Sequence, residues 1–152
     1  QTLVIFTSDN GPETLRRYPK GIHCHGSPGP LRGMKLHLYE GGIRVPGIAR
    51  YPRRIKAGQT SAEPICSLDF LPTFCELAGI KLPENRTFDG TNLTPLFEGQ
   101  PLTRTSPLYW HYFRSIGEPK AVMRVGDYAI LQDVRAIGRA LASRHGGAGP
   151  HP

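Results

Sequence analysis

The chain alternates short apolar runs with longer stretches rich in Gly and Pro. The first run, residues 2–7, is β-branched or apolar throughout and predicts a strand buried on both faces. It ends in a loop, residues 8–12, where Pro12 stops the strand and Asp9 and Asn10 offer side-chain oxygens. Open α/β sheets place ligands beyond the carboxyl ends of their strands, so this loop is a candidate ligand site, with a simple Asx-type turn as the alternative.

Residues 69–78 carry the clearest helical pattern. Four apolar residues recur at the spacing of one helix face: Phe70, Phe74, Leu77 and Ala78. Asp69 is predicted as the N-cap, with Pro72 in the first turn, where its missing N–H is tolerated. Gly79 is predicted as the residue that ends the helix. This helix is interpreted as core packing, without a chemical role.

The later part of the chain predicts strands. An aromatic run at 108–113 is typical of one strand. Two further runs, 121–125 and 128–132, flank Gly126-Asp127, which predicts a tight hairpin. The intervening stretch, 80–105, predicts loop. Beyond Asp133 the chain has few apolar residues and ends rich in Gly, Pro and His, so we expect disorder there.

Histidines and cysteines offer a second candidate site, of weaker support. His23-Cys24-His25 resembles a metal clip, but a transition-metal site needs three or four ligands, so a surface loop over 14–34 is favoured. With Cys66 and Cys75, the three cysteines show neither metal-ligand spacing nor an even disulfide framework. Two triplets fit the N-glycosylation pattern, at Asn85 and Asn92.

Composition bounds the function more loosely. The chain has 152 residues, enough for one core, and a formal net charge of +7. Its basic residues are scattered, with no basic helix or stripe, so nucleic acid is not expected as a partner. No stretch has the apolar length of a membrane span. Oligomeric state cannot be predicted from these features.

Four blocks of sequence resemble the sulfatase family, in its arylsulfatase A and N-acetylgalactosamine-6-sulfatase branch. They are FTSDNGPE (6–13), LRGMKLHLYEGGIRVPGIARYP (31–52), SLDFLPTFCELAG (67–79) and FDGTNLTPLFEG (88–99). The resemblance covers roughly residues 2–130. The family's nucleophile motif, Cys/Ser-x-Pro-x-Arg, does not occur in this chain. We therefore expect the later part of a sulfatase catalytic domain, with the N-terminal half missing.

The resemblance implies an α/β, alkaline-phosphatase-like fold, with a mostly parallel sheet and helices leading into a small antiparallel C-terminal subdomain. Residues 1–105 would belong to the catalytic α/β domain and 106–132 would start the subdomain. For 133–152 we expect a disordered or aberrant tail. A periplasmic, extracellular or lysosomal location is typical of the family.

The resemblance also implies the chemistry. Asp9 and Asn10 would be ligands of Ca²⁺, with Mg²⁺ as the alternative, since both are hard cations that prefer oxygen ligands. Lys35 would contact the sulfate group, as a point charge on one of its oxygens. Arg44 would brace the loop. The nucleophile, a formylglycine, would come from the missing half, and the substrate would be an aryl or carbohydrate sulfate ester.

Two other functions remain open at this stage. A phosphate monoester or diester hydrolase of the same superfamily usually binds two metals through additional His and Asp ligands, which are not evident here. A non-catalytic basic binding module needs clustered Lys and Arg with interleaved aromatic residues, and only 109–114 approaches that pattern. The sulfatase interpretation is favoured over both. No role is predicted for His23, His25 or His111.

Overall fold

A computed structural model of the chain describes residues 2–13, 25–117 and 119–132. Its regular elements, in chain order, are β1 (Val4–Thr7), α1 (Glu40–Ile43), β2 (Gly47–Arg50), α2 (Phe70–Ala78), α3 (Thr94–Phe97), β3 (Leu108–His111), β4 (Ala121–Val125) and β5 (Tyr128–Gln132). The predicted tail, 133–152, and the pair His23-Cys24 lie outside the described residues.

Contacts between backbones divide the chain into two units. Among the described residues, the first unit comprises 2–7 and 46–108, and the second comprises 8–13, 25–45, 109–117 and 119–132. Each unit takes its residues from two separate parts of the chain. The predicted domain boundary near residue 105 stays a prediction.

β1 and β2 form a two-stranded antiparallel sheet in the first unit, with Val4 opposite Arg50. Val4 and Phe6, on one face of β1, are 49% and 64% exposed, so the prediction of burial on both faces is wrong for this structure. The other face, with Leu3 and Ile5, is less exposed, and these two side chains line a cleft with residues of α2. The resemblance implies a mostly parallel sheet. Among the described residues, the two strand pairs with a defined register, β1–β2 and β4–β5, are antiparallel.

α2 confirms the predicted helix to within one residue, and Gly79 ends it in the left-handed conformation (φ 68°). Asp69 stands at the predicted N-cap position of α2, although its side chain makes no capping hydrogen bond to that helix. A 3₁₀ turn, Ser67–Asp69, runs directly into the helix, so Asp69 already has helical φ and ψ. A capping side chain needs an extended backbone to reach the first free N–H groups.

The predicted apolar face of α2 lines the same cleft as β1. Six side chains form its walls: Leu3, Ile5, Tyr51, Phe74, Leu77 and Ala78. The rings of Phe70 and Phe74 stack with centroids 5.9 Å apart, yet Phe74 remains 46% exposed. The buried residues of α2 are instead Pro72 and Thr73. The helical period is therefore as predicted, while the face that is sealed from water is not.

A buried ion pair between Asp69 and Arg104 stabilises the first unit at the start of α2. Asp69 is fully buried and accepts hydrogen bonds from the backbone N–H of Cys66 and of Thr91, each at 2.8 Å. The Arg104 guanidinium donates to both carboxylate oxygens, at 3.0 and 2.6 Å, and also to the carbonyl of Pro64. Bidentate pairing of this kind is strong and directional. It ties three stretches that are far apart in the sequence to the start of α2.

This pair predicts an acid-sensitive stability. Burial alone would raise the pKa of Asp69, but the hydrogen bonds from Arg104, Cys66 and Thr91 outweigh it and lower the pKa below its ordinary 3.8. A lowered folded-state pKa contributes stability above the unfolded value, and that stability is lost as the pH falls through the folded value. We expect the urea concentration at the unfolding midpoint to decrease as the pH is lowered below about 4. This decrease should be steeper than in Asp69→Asn, which lacks the titrating carboxylate.

Asp69→Asn should itself be less stable at pH 7 by about 1–3 kcal/mol, the usual cost of losing hydrogen bonds to a charged group. Urea unfolding followed by circular dichroism between pH 7 and 3 measures both effects. Parallel pH profiles for the two proteins would show that Asp69 is not the group responsible.

The second unit contains the predicted hairpin. β4 and β5 have the predicted bounds, pair antiparallel with Val125 opposite Tyr128, and turn through Gly126 at φ 55°. β3 lies beside β4, in the order β3-β4-β5, and ends at His111 rather than at the predicted Phe113. The strands and the turn therefore confirm the sequence pattern, with β3 two residues shorter.

Two short helices were not predicted. α3 lies in the stretch 80–105 that predicts loop, and its Pro95 stands in the first turn, where proline is tolerated. α1 begins with Glu-Gly-Gly, within the second of the four sequence blocks. It was not predicted because two glycines disfavour a helix. Within 2–13, 25–117 and 119–132, no helix is long and apolar enough to cross a membrane.

Candidate functional site

The loop that follows β1, residues 8–13, is called the Asp9 loop below. Ser8 donates a hydrogen bond from Oγ to the carbonyl of Asn10 at 2.9 Å, which tightens the turn. Asp9 is exposed and Asn10 is half-buried, so both side chains are accessible at the surface of this loop. The residue types predict a turn with side-chain oxygens, and the structure has a bend at both residues.

The Asp9 loop contacts the segment 31–44, called the Lys35 segment, through the main chain. Gly11 N–H donates to the carbonyl of Gly42 at 2.8 Å, and Lys35 N–H donates to the carbonyl of Pro12 at 2.8 Å. A third bond, from Gly41 N–H to the carbonyl of Arg32 at 2.7 Å, closes the Lys35 segment on itself. Both loops are thereby held to each other at two points.

Three glycines make this close approach of backbones feasible. A Cβ on Gly11 would overlap the carbonyl oxygen of Gly41, and one on Gly42 would overlap the carbonyl of His37. A Cβ on Gly41 would overlap the carbonyl of Gly33. A side chain at Gly11 would push the two loops apart, whereas one at Gly41 or Gly42 would disrupt the Lys35 segment itself. The Glu-Gly-Gly sequence is thus explained by packing of main chain on main chain.

The backbone beside Lys35 is strained. Leu36 has φ 71°, a left-handed conformation that a branched-chain residue adopts only when its surroundings impose it. Its carbonyl accepts a hydrogen bond from the N–H of Ile116 at 2.7 Å, and the N–H of Lys35 is already bonded to Pro12. Strained residues of this kind are concentrated at functional sites. The geometry at 35–36 therefore points to a constrained position for the lysine.

Lys35 forms an ion pair with Glu13, with 3.3 Å between Nζ and Oε2. The lysine side chain is 34% exposed, whereas that of Glu13 is 12% exposed. The charged end of the lysine is thus anchored to a mostly buried carboxylate, and part of the side chain faces solvent. Sequence reasoning missed Glu13, because nothing in the local pattern pairs it with a residue so far along the chain.

Glu40 has two basic partners in the same unit. Arg44 Nη1 lies 3.3 Å from Glu40 Oε2, one helical turn away, and Arg124 Nη1 of β4 lies 3.0 Å from Glu40 Oε1. Arg44 is 67% exposed and pairs within α1. The bracing role of Arg44 stays a prediction, and Arg124 is a second partner of Glu40 that the sequence did not indicate.

The remaining candidates from the sequence do not join the site. In the described part of the chain, no three His, Cys, Asp or Glu side chains form a metal-binding group. Burial, followed by the charge of Asp69, raises the pKa of the Cys66 thiol, which disfavours the thiolate a metal would need. His25 is exposed, and His111 packs edge-on against Phe113 with ring centroids 4.3 Å apart. The Asn92 side chain accepts a hydrogen bond from Thr94 N–H.

Asp9 and Asn10 fit a hard divalent cation by donor chemistry. A carboxylate and an amide oxygen are typical ligands of Ca²⁺, which takes six to eight oxygens. Two adjacent residues supply only part of such a shell, so further ligands must come from elsewhere. The pair is suited to one side of a calcium site, and sulfur or nitrogen ligands that would favour zinc do not accompany it in the described residues.

Comparison with known proteins identifies the family. Residues 34–133 match the family described as N-sulphoglucosamine sulphohydrolase, C-terminal. The chain is 46% identical over 111 residues to steryl-sulfatase of Homo sapiens, and 46% identical over 111 residues to arylsulfatase A of Homo sapiens. It is 38% identical over 128 residues to N-acetylgalactosamine-6-sulfatase of Mus musculus. These matches cover 73%, 73% and 84% of this chain.

The same matches cover 19%, 20% and 23% of the relatives, so the chain spans about a fifth of their length. Solved structures agree with the sequence. The PsFucS1 sulfatase from Pseudoalteromonas sp. superposes with a TM-score of 0.59 at 29% identity, over 87% of this chain and 28% of that one. Ps i-CgsB does so with a TM-score of 0.66 at 30% identity, over 93% and 34%.

A third structure, BT4656 in complex with its substrate D-glucosamine-2-N,6-O-disulfate, superposes with a TM-score of 0.55 at 25% identity, over 93% of this chain and 31% of that one. The predicted alkaline-phosphatase-like sulfatase fold is confirmed by these likenesses. The predicted family is confirmed by the sequence matches. The chain belongs to the sulfatase family and corresponds to the later part of its members.

Proposed function

We propose that this chain contributes one side of the active site of a sulfuric ester hydrolase. Asp9 and Asn10 would be calcium ligands, and Lys35 would bind the sulfate group. The observation that carries the proposal is the pair of backbone hydrogen bonds, from Gly11 to Gly42 and from Lys35 to Pro12. They hold the two oxygen donors and the lysine in adjoining loops of one unit, although the sequence separates them.

Each residue has a distinct task in this proposal. The carboxylate of Asp9 and the amide oxygen of Asn10 would hold the cation, which when bound polarises sulfate oxygens as a Lewis acid. Lys35 would donate N–H groups to another sulfate oxygen and stabilise negative charge that develops there. Its ammonium is compact and has three donors, so it can bind an anion while keeping its contact with Glu13.

The nucleophile lies outside these residues in the proposal. No Cys or Ser of the chain stands in a Cys/Ser-x-Pro-x-Arg sequence. A formylglycine and the remaining calcium ligands would come from the rest of the complete protein. By the complete protein we mean the longest product of the gene that carries this chain. The substrate class follows from the family, as an aryl or carbohydrate sulfate ester. Support comes from relatives described as arylsulfatase A and N-acetylgalactosamine-6-sulfatase.

The complete protein should hydrolyse an aryl sulfate in a calcium-dependent reaction, and residues 1–152 alone should not. The reason is that the isolated chain has one side of the metal site and no nucleophile. Release of the phenol is followed by absorbance, with calcium and after chelation, and with the matching aryl phosphate as comparison. Preference for the phosphate would replace the sulfatase proposal with a phosphoesterase. Turnover by the isolated chain that survives repeated purification would contradict the incomplete site.

A further inference from the structure

We propose that Glu13 is a positioning residue, whose carboxylate orients the ammonium of Lys35 toward the sulfate of the substrate. This inference rests on the proposed function, since it assumes that Lys35 binds sulfate. The ion pair, with 3.3 Å between Nζ and Oε2, is the contact that carries it.

The backbone fixes both ends of this pair. Glu13 directly follows Pro12, whose carbonyl accepts the N–H of Lys35 at 2.8 Å. On the other side, Leu36 is held in a left-handed conformation, and its carbonyl is bonded to Ile116. The Cα atoms of Glu13 and Lys35 therefore have little freedom to separate. A pair built on restrained backbone needs less ordering of side chains than an ordinary surface pair.

The two side chains of the ion pair differ in their exposure to solvent. The Glu13 side chain is 12% exposed and the Lys35 side chain is 34% exposed, so the carboxylate lies on the inner side. A lysine has four rotatable bonds and loses much rotamer freedom when it is held in one place. An ion-pair partner on the inner side leaves N–H groups of the ammonium available on the open side. The ammonium is then held in place before the anion arrives, as electrostatic catalysis requires.

A positioning role and a purely electrostatic role of Glu13 predict opposite effects of its removal on sulfate affinity. A carboxylate that acted only through its charge would repel an anion, so Glu13→Ala would tighten the binding of inorganic sulfate. If Glu13 orients Lys35, the same change weakens sulfate binding and lowers kcat. Losing one hydrogen-bonded contact to a charged group corresponds to a decrease of about ten- to a hundredfold. Glu13→Gln keeps an oxygen at the same place and should remain within about threefold of the unchanged protein.

The test is a double-mutant cycle in the complete protein, with Glu13→Ala, Lys35→Ala and the double variant. If Glu13 acts through Lys35, its removal changes nothing further once the lysine is gone. The cycle is read from kcat, from KM for an aryl sulfate and from the inhibition constant of inorganic sulfate. Glu98→Ala is the matched control, because it removes a glutamate from an exposed ion pair with Arg54 and should leave all three unchanged.

The outcomes separate the two proposals. A loss of activity in Lys35→Ala with equal further losses from Glu13→Ala in both backgrounds would overturn the positioning role and leave the proposed function standing. Normal activity in Lys35→Ala would overturn both. If Glu13→Ala lowers the melting temperature strongly, Glu13→Gln decides: tighter sulfate binding with unchanged kcat overturns positioning, and near-normal values for both support it.

Discussion

Asp9→Ala in the complete protein should remove most of the activity and most of the bound calcium. Asp9 carries the negative charge of the ligand pair, and a calcium shell depends on carboxylates for its affinity. Residues that only orient metal ligands already change affinity by about 10–100-fold, so losing a ligand should shift the calcium requirement by about a hundredfold or more. High calcium should therefore restore part of the activity.

Calcium content after dialysis, measured by mass spectrometry, and activity across a calcium titration check this expectation. Asp89→Ala is a suitable control, because Asp89 is also exposed in a loop but lies in the other unit. It should leave the calcium titration unchanged. An Asp9→Ala protein that retains its calcium and responds to it normally would mean that the Asp9 loop is an ordinary Asx-type turn.

Lys35→Ala should lose about two to three decades in kcat, equivalent to about 3–4 kcal/mol of transition-state stabilisation, while keeping its calcium. The reason is that, in the proposed function, the ammonium contacts the sulfate group and is no part of the metal shell. Lys35→Arg should recover little, since a planar guanidinium neither matches the compact ammonium nor keeps the same contact with Glu13.

Steady-state kinetics with an aryl sulfate, together with calcium content, separates this variant from Asp9→Ala. Added calcium should not rescue Lys35→Ala. Lys56→Ala, which removes an exposed lysine from a loop of the other unit, should behave like the unchanged protein. Near-normal turnover by Lys35→Ala would show that this lysine is a surface residue without a role in sulfate binding.

Local chemistry explains what the sequence predicted well. The hairpin β4–β5 follows from two apolar runs around Gly126-Asp127, and the end of α2 follows from Gly79. Both depend on residues that are neighbours in the chain, so their geometry is encoded within a few positions. The assignment of Asp9 and Asn10 as metal ligands, made from residue type and from the strand before them, stays a prediction.

What the sequence did not predict depends on residues that are distant in the chain. Asp69 looks like a helix cap, yet its partner is Arg104, 35 positions later. Glu13 looks like the end of a turn, yet it pairs with Lys35. The helical period of α2 indicates an apolar face but not which structure covers it, and Phe74 remains 46% exposed. Tertiary partners of this kind leave no periodic signal.

The contact between Gly11, Gly41 and Gly42 has a consequence for how such a site can diversify. Main-chain hydrogen bonds join the Asp9 loop to the Lys35 segment, and at Gly11 no side chain stands between the two backbones. Exchanges of surrounding side chains other than Glu13 and Lys35 therefore leave these main-chain contacts in place. Under the proposed function, selection for a new substrate can act on those surrounding positions, while the residues proposed to handle the sulfate group are inherited unchanged.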